Sequence, residues 1–161
     1  MKLLISLLFV TGLFRTADLG EIRKIYPQAA SSEDATKELA AKLEGVSDSG
    51  DKTLLAYKGA VLTLKAKFAK SIPDKIGFVK DGAKIVESAV AAEPSNVEIR
   101  MIRLSIQENV PAIVGYKRNI DEDKAFIVNN YKNLPGDLRE YVKNFILQSK
   151  SFSKAQKLAA K

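Results

Sequence analysis

From Thr53 to Leu104 apolar residues recur at spacings of three and four, in two long segments and the start of a third. The first segment, from about Asp51 to Lys70, carries Leu54, Tyr57, Val61, Leu64 and Phe68 as one stripe, with the small residues Gly59 and Ala60 beside it. Its successor runs from about Pro73 to Ala92 with Ile76, Val79, Ala83, Val86 and Val90. This period is that of amphipathic helices, and Ser71-Ile72-Pro73-Asp74 between them reads as a turn. Ser71 with Asp74 resembles a capping box, and Pro73 suits a first helical turn. After Glu93-Pro94-Ser95-Asn96, Ser95 with Glu98 forms a second capping box, opening a helix with Val97, Met101 and Leu104 inward.

The flanking regions repeat the unit of helix and short polar turn. Asp18 with Glu21 opens a helix carrying Leu19, Ile22 and Ile25, which Pro27 ends or kinks. Ser31 or Ser32 starts the next, with Ala35, Leu39 and Leu43 on its face, Gly45 as a stop, and Ser47-Asp48-Ser49-Gly50 as a loop. Val110 to Tyr116 breaks the periodicity and reads as an apolar connector packed on the bundle. Asn119 with Glu122 opens a helix with Ile120, Ile127 and Tyr131 inward. After the turn Leu134-Pro135-Gly136-Asp137, a helix to about Ser149 faces inward with Leu138, Tyr141 or Val142, and Phe145. The tail from Ser151, with Phe152 and Leu158, reads as a frayed or weakly docked helix. The expected fold is all-α: about six or seven helices in an antiparallel array, either a bundle or a short solenoid.

At the N-terminus, Met1-Lys2 precedes Leu3–Phe14, an uncharged run of 12 residues. A basic start before an apolar run too short to span a bilayer reads as a secretory signal. Ala17 offers a small residue at the cut, with Val10-Thr11-Gly12 as the other option. The expectation is a signal peptide over 1–17, an exported (periplasmic or secreted) product, and one all-helical domain over 18–161.

Composition narrows the chemistry. The chain of 161 residues has no Cys and no His, which removes thiol nucleophiles, disulfides, Cys or His zinc ligation and a histidine base. No phosphate-cradling Gly-rich loop, dinucleotide fingerprint or Gly-x-Ser-x-Gly elbow is present, so no catalytic residue, metal ligand or cofactor is assigned. The formal charge is +7, and seven lysines between Lys58 and Lys84 face only Asp74 and Asp81. That window could meet lipid headgroups or an acidic partner, with Lys65, Lys67 and Lys80 as candidate contacts to an anionic surface, or simply solvate two helices. Lysines without interleaved arginines or free aromatics argue against nucleic acid. The consecutive carboxylates Asp121, Glu122 and Asp123 point in different directions on a helix and suit its first turn better than a metal.

The stretch Gly82 to Ser95 resembles the second half of a tetratricopeptide repeat, with Gly82, Val86, Ala89, Val90 and Pro94 at the family's offsets, and Tyr57-Lys58-Gly59-Ala60 resembles the first helix. Gly59 and Gly82 stand 23 positions apart, so helices or connection must be longer than in that family. The TLLAYKGA stretch with the leading segment is also similar to small exported bacterial helical proteins. These resemblances imply helical hairpins and export, and supply no catalytic residue.

The functional expectation is a non-enzymatic exported module that binds a protein or peptide, with Tyr57, Lys58, Arg100, Arg103 and Tyr116 as candidate contacts. The competing expectation is a peripheral membrane or polyanion binder acting through 58–84. An enzyme would need carboxylates or tyrosines brought together from distant helices.

Overall fold

The computed structural model describes residues 17–161, so the Leu3–Phe14 segment and its signal reading lie outside the described residues. The described residues form eight α-helices and two 3-10 turns, without a strand. They are α1 (Leu19–Ala29), α2 (Glu33–Lys42), α3 (Lys52–Phe68), α4 (Ile72–Ala92), α5 (Val97–Asn109), α6 (Ile120–Asn130), α7 (Gly136–Gln148) and α8 (Lys154–Ala159). The all-α expectation holds. The eighth helix comes from the tail, which is docked: Phe152 is buried edge-to-face against Phe145, with centroids 6.1 Å apart. Ser153 and Gln156 cap α8 reciprocally, and the Ser149 and Ser151 hydroxyls donate to Glu108, pinning the preceding turn.

α3 and α4 form an antiparallel hairpin around which the rest is built. Gly59 lies against Gly82 and Val86, while Gly82 lies against Gly59 and Thr63, so numbers fall along one helix as they rise along the other. α3 is buried around most of its circumference, by Leu54, Leu55, Ala56, Tyr57, Ala60, Val61, Thr63 and Ala66. A single stripe was expected; α1, α2, α4 and α5 instead enclose this helix from several sides. On α4 the buried line is Val79, Gly82, Val86, Ala89 and Val90, and Ile76 is exposed rather than inward.

Local chemistry sets most helix starts. The side chains of Asp18, Ser32, Asp51 and Ser71 each accept at least one backbone N–H from the first turn that follows. At α5 the expected Ser95–Glu98 box does not form. Asn96 is the cap, accepting from the N–H groups of Glu98 and Ile99, and Glu98 turns into the core. Pro27 lies inside α1, which continues to Ala29; near a helix end the proline removes a donor without stopping the helix.

The 110–116 connector packs only in part. Val110 is buried, and Val114 and Tyr116 lean on the core, but the 3-10 turn Ala112–Val114 swings Ile113 into solvent. Gly115, in the left-handed region at φ 72°, ends that turn where a side chain would be strained. On α7 Val142 and Ile146 are buried, with Leu138, Tyr141 and Phe145 at the margin. No described helix is long and apolar enough to cross a membrane.

Candidate functional site

Two polar networks cross the helical interior. In the first, Arg23 of α1 forks onto Glu98 of α5, Nε to Oε1 at 2.7 Å and Nη2 to Oε2 at 2.6 Å. The buried Tyr57 hydroxyl donates to the same Oε1 at 2.8 Å and meets the Tyr141 hydroxyl at 3.2 Å. One carboxylate thereby ties α1, α3 and α5 together, with α7 added through Tyr141. The hydrogen bond to Glu98 holds the Arg23 guanidinium above its ordinary value, against the opposing effect of burial. Burial, joined by Tyr141 and Glu98, pushes the Tyr57 hydroxyl well up.

In the second network Arg103 of α5 forks onto Asp123 of α6, Nε to Oδ2 at 2.7 Å and Nη2 to Oδ1 at 2.6 Å. Its Nη1 reaches Glu87 of α4 at 3.0 Å, and the other Glu87 oxygen accepts from the Tyr116 hydroxyl at 2.6 Å. Arg100 bridges Asp123 and Glu122 and stacks on Phe126, 4.5 Å from the ring centre. Burial disfavours the Arg103 charge, but Asp123 and Glu87 together outweigh that and hold the group above its ordinary value. The three consecutive carboxylates thus have three roles. Asp123 is buried between arginines, Glu122 is held by Arg100, and the 96% exposed Asp121 side chain pairs with Lys124.

Over the first network opens a groove of about 1080 Å³, framed by α1, α3, α4, α5, α7 and the 110–114 turn. Val79, Met101, Ile106 and Phe145 give it an apolar surface, and Tyr26 and Pro27 close the α1 side. The Tyr26 hydroxyl is paired with Ser105 Oγ at 2.7 Å, and burial pushes it up to about 12. At the lip stand Ile72, Ile76 and Ile113, 66%, 41% and 94% exposed. Lys67, Lys75 and Lys80 line the same groove. The lysine ion pairs of the described residues lie at Lys37, Lys42, Lys124 and Lys143, so these three have no carboxylate partner among them.

Of the candidate contacts named from the sequence, Arg100, Arg103 and Tyr116 meet in the second network, Tyr57 belongs to the first and Lys58 to neither. Tyr57 and Arg103 are interior, committed to Glu98 and Asp123, and Arg100 is mostly covered within the same network, so none of the three offers a free binding surface. Lys58 donates to the carbonyls of Glu44 and Val46, tying the α2–α3 loop to α3. Tyr116 is half-buried, its hydroxyl taken by Glu87. The lysine window is dispersed as well: Lys67 reaches the Ala30 carbonyl, Lys65 lies outside the groove lining, and Lys80 stands over the groove. The isoleucine lip was missed. Its available signals were Ile72 before Pro73, too early in α4 to join the buried line, and Ile113 between Pro111 and Gly115. No family model, curated protein or solved structure matches this chain.

Proposed function

We propose that this protein is an exported, non-enzymatic binding module that takes the apolar face of a partner protein's amphipathic helix in the groove between α1, α3–α4, α5 and α7. The observation that carries the reading is the lip: Ile72, Ile76 and Ile113 stand exposed around an apolar groove of about 1080 Å³. Exposed apolar surface gathered at one groove is characteristic of a docking site rather than of ordinary protein surface. A helix suits it because the walls offer few backbone-pairing groups and the described residues hold no strand edge. An entering chain must then satisfy its own N–H and C=O groups. Lys67, Lys75 and Lys80 favour a partner helix flanked by acidic residues.

The export part rests on the Met1-Lys2 start and the Leu3–Phe14 run, and the mass of the mature N-terminus tests it. The tetratricopeptide-like reading of the α3–α4 hairpin is supported by the Gly59–Gly82 approach and by burial of Val86, Ala89 and Val90.

Site-specific photocrosslinkers at positions 76 and 113, with exposed Ser88 as control, test the reading in cells. A shared partner captured from 76 and 113 but not from 88, through an amphipathic helical segment, is the expected result. Equal capture from all three positions, or none, refutes it.

A second reading, docking on an anionic membrane surface, is favoured by exposed Ile72 at the α3–α4 turn between Lys70 and Lys75. Reversing Lys65 and Lys70, which lie outside the groove lining, to Glu separates the two. Vesicle binding that this variant loses, with no partner captured from 76 and 113, selects the membrane.

A further inference from the structure

We propose that a second cavity, beside the groove, is a binding site for a phosphomonoester. The cavity measures about 490 Å³ and is formed by α4 and the segment before α6. From α4 it takes Lys80, Ala83, Lys84 and Glu87; Tyr116 and Arg118 close it from the other side. Lys80, Lys84 and Glu87 follow at spacings of four and three, so they share one helical face.

The charges around this cleft are unbalanced. Lys80, Lys84 and Arg118 face Glu87 alone, and both Glu87 oxygens are engaged, one by Tyr116 and one by Arg103. None of the three cations has a carboxylate partner among the ion pairs of the described residues. Two lysines four apart on a helix repel each other, and an anion between them converts that cost into attraction. The lining nets three positive charges against one negative, which suits a dianion, and a phosphomonoester carries about −2 at neutral pH. A planar guanidinium with two ammonium groups is also suited to phosphate oxygens.

The volume exceeds what a bare phosphate needs and falls within the range of roughly 300–1,000 Å³ typical of small-molecule sites. Ala83 leaves room for the organic part, and the Tyr116 ring, its hydroxyl tied to Glu87, forms a fixed wall. That organic part has two sources. A soluble phosphate ester would sit wholly in the cleft. A lipid with a phosphomonoester headgroup would run its chain past Lys80, which lines both cavities, into the apolar groove. Lys84 and Arg118 line the cleft and not the groove, so the site is tested separately from the helix-binding reading.

The test titrates the full chain at low salt with glycerol 3-phosphate, with acetate, and with phosphatidylcholine vesicles with or without phosphatidic acid. NMR follows Arg118 and its neighbours, and cosedimentation follows the vesicles. Saturable shifts with glycerol 3-phosphate and none with acetate identify a soluble ester. Binding only to the phosphatidic acid vesicles identifies a lipid headgroup. In either case the Lys84→Gln, Arg118→Gln double variant binds about tenfold more weakly or worse, with its far-ultraviolet spectrum unchanged. Binding that survives this variant, acetate as effective as the phosphate, or no binding to either probe overturns the proposal.

Discussion

Gly59 and Gly82 bring the backbones of α3 and α4 into direct contact: a Cβ on Gly59 would stand 2.7 Å from the Gly82 carbonyl oxygen. A Cβ on Gly82 would meet the Gly59 carbonyl and, at 2.6 Å, Thr63 Cγ2. Since the obstruction is backbone, the helices must part to admit a methyl group. Gly82→Ala should destabilise by about 1–3 kcal/mol in urea unfolding, overpacking outweighing the gain in helix propensity. Gly77, inside the same helix with nothing near its Cβ position, should give the opposite sign. Gly77→Ala should stabilise by about 0.5–1 kcal/mol. If both substitutions move stability in the same direction, the close crossing is wrong.

Arg103 and Asp123 form the most enclosed ion pair of the fold's described part. Asp123→Ala strips the arginine of its fork and should cost about 3–5 kcal/mol, as expected when one partner of a buried pair is removed. Arg103→Met combined with Asp123→Leu should cost less than the single change, since no buried charge is left uncompensated. Chemical denaturation of the two variants and the wild type decides this. A double variant less stable than Asp123→Ala would contradict the coupling.

The start of α5 separates two neighbouring residues. Asn96→Ala removes the acceptor for two backbone donors and should cost about 0.5–2 kcal/mol. Ser95→Ala, at an exposed position that caps nothing, should fall within about 0.5 kcal/mol of the wild type. The reverse order would restore the capping box expected from sequence.

High pH should unfold the protein through its tyrosines. Burial holds Tyr26 at about 12 against an ordinary value of 10.0, and raises Tyr57, Tyr116 and Tyr141 as well. Above pH 10 the unfolded chain releases protons that the folded chain keeps, so the folded state binds more and stability falls as pH rises. The stabilisation is complete below the unfolded value and for Tyr26 is lost between pH 10 and about 12. Tyrosinate absorbance and helical circular dichroism recorded together should change in one transition. Tyrosinate appearing with the helices intact would show these hydroxyls to be open to solvent.

The helices were legible because their signals are local: stripes such as Val86 and Val90 on α4, and caps such as Asp18 and Ser71. What failed was whatever depends on partners distant in sequence. Glu98 beside Ser95 is a sound capping-box reading until Arg23, 75 positions away, and Tyr57 claim its carboxylate. Arg100, Arg103 and Tyr57 have the composition of a binding surface, yet their neighbours consume them inside the fold. α3 was assigned one buried stripe because a helix enclosed on several sides has little periodicity to read. The groove was illegible for the same reason, since five helices and one turn build it and no single stretch announces it.

The most direct measurement of groove binding takes the helical segment that crosslinks to positions 76 and 113, labels it as a synthetic peptide, and follows its binding by fluorescence anisotropy. Wild type and Ile76→Lys are compared, because residue 76 is exposed and its replacement leaves the core intact. Affinity about tenfold or more weaker in the variant, at unchanged unfolding free energy, is the predicted result. Equal affinity for the two proteins would place the binding surface elsewhere and contradict the proposed function.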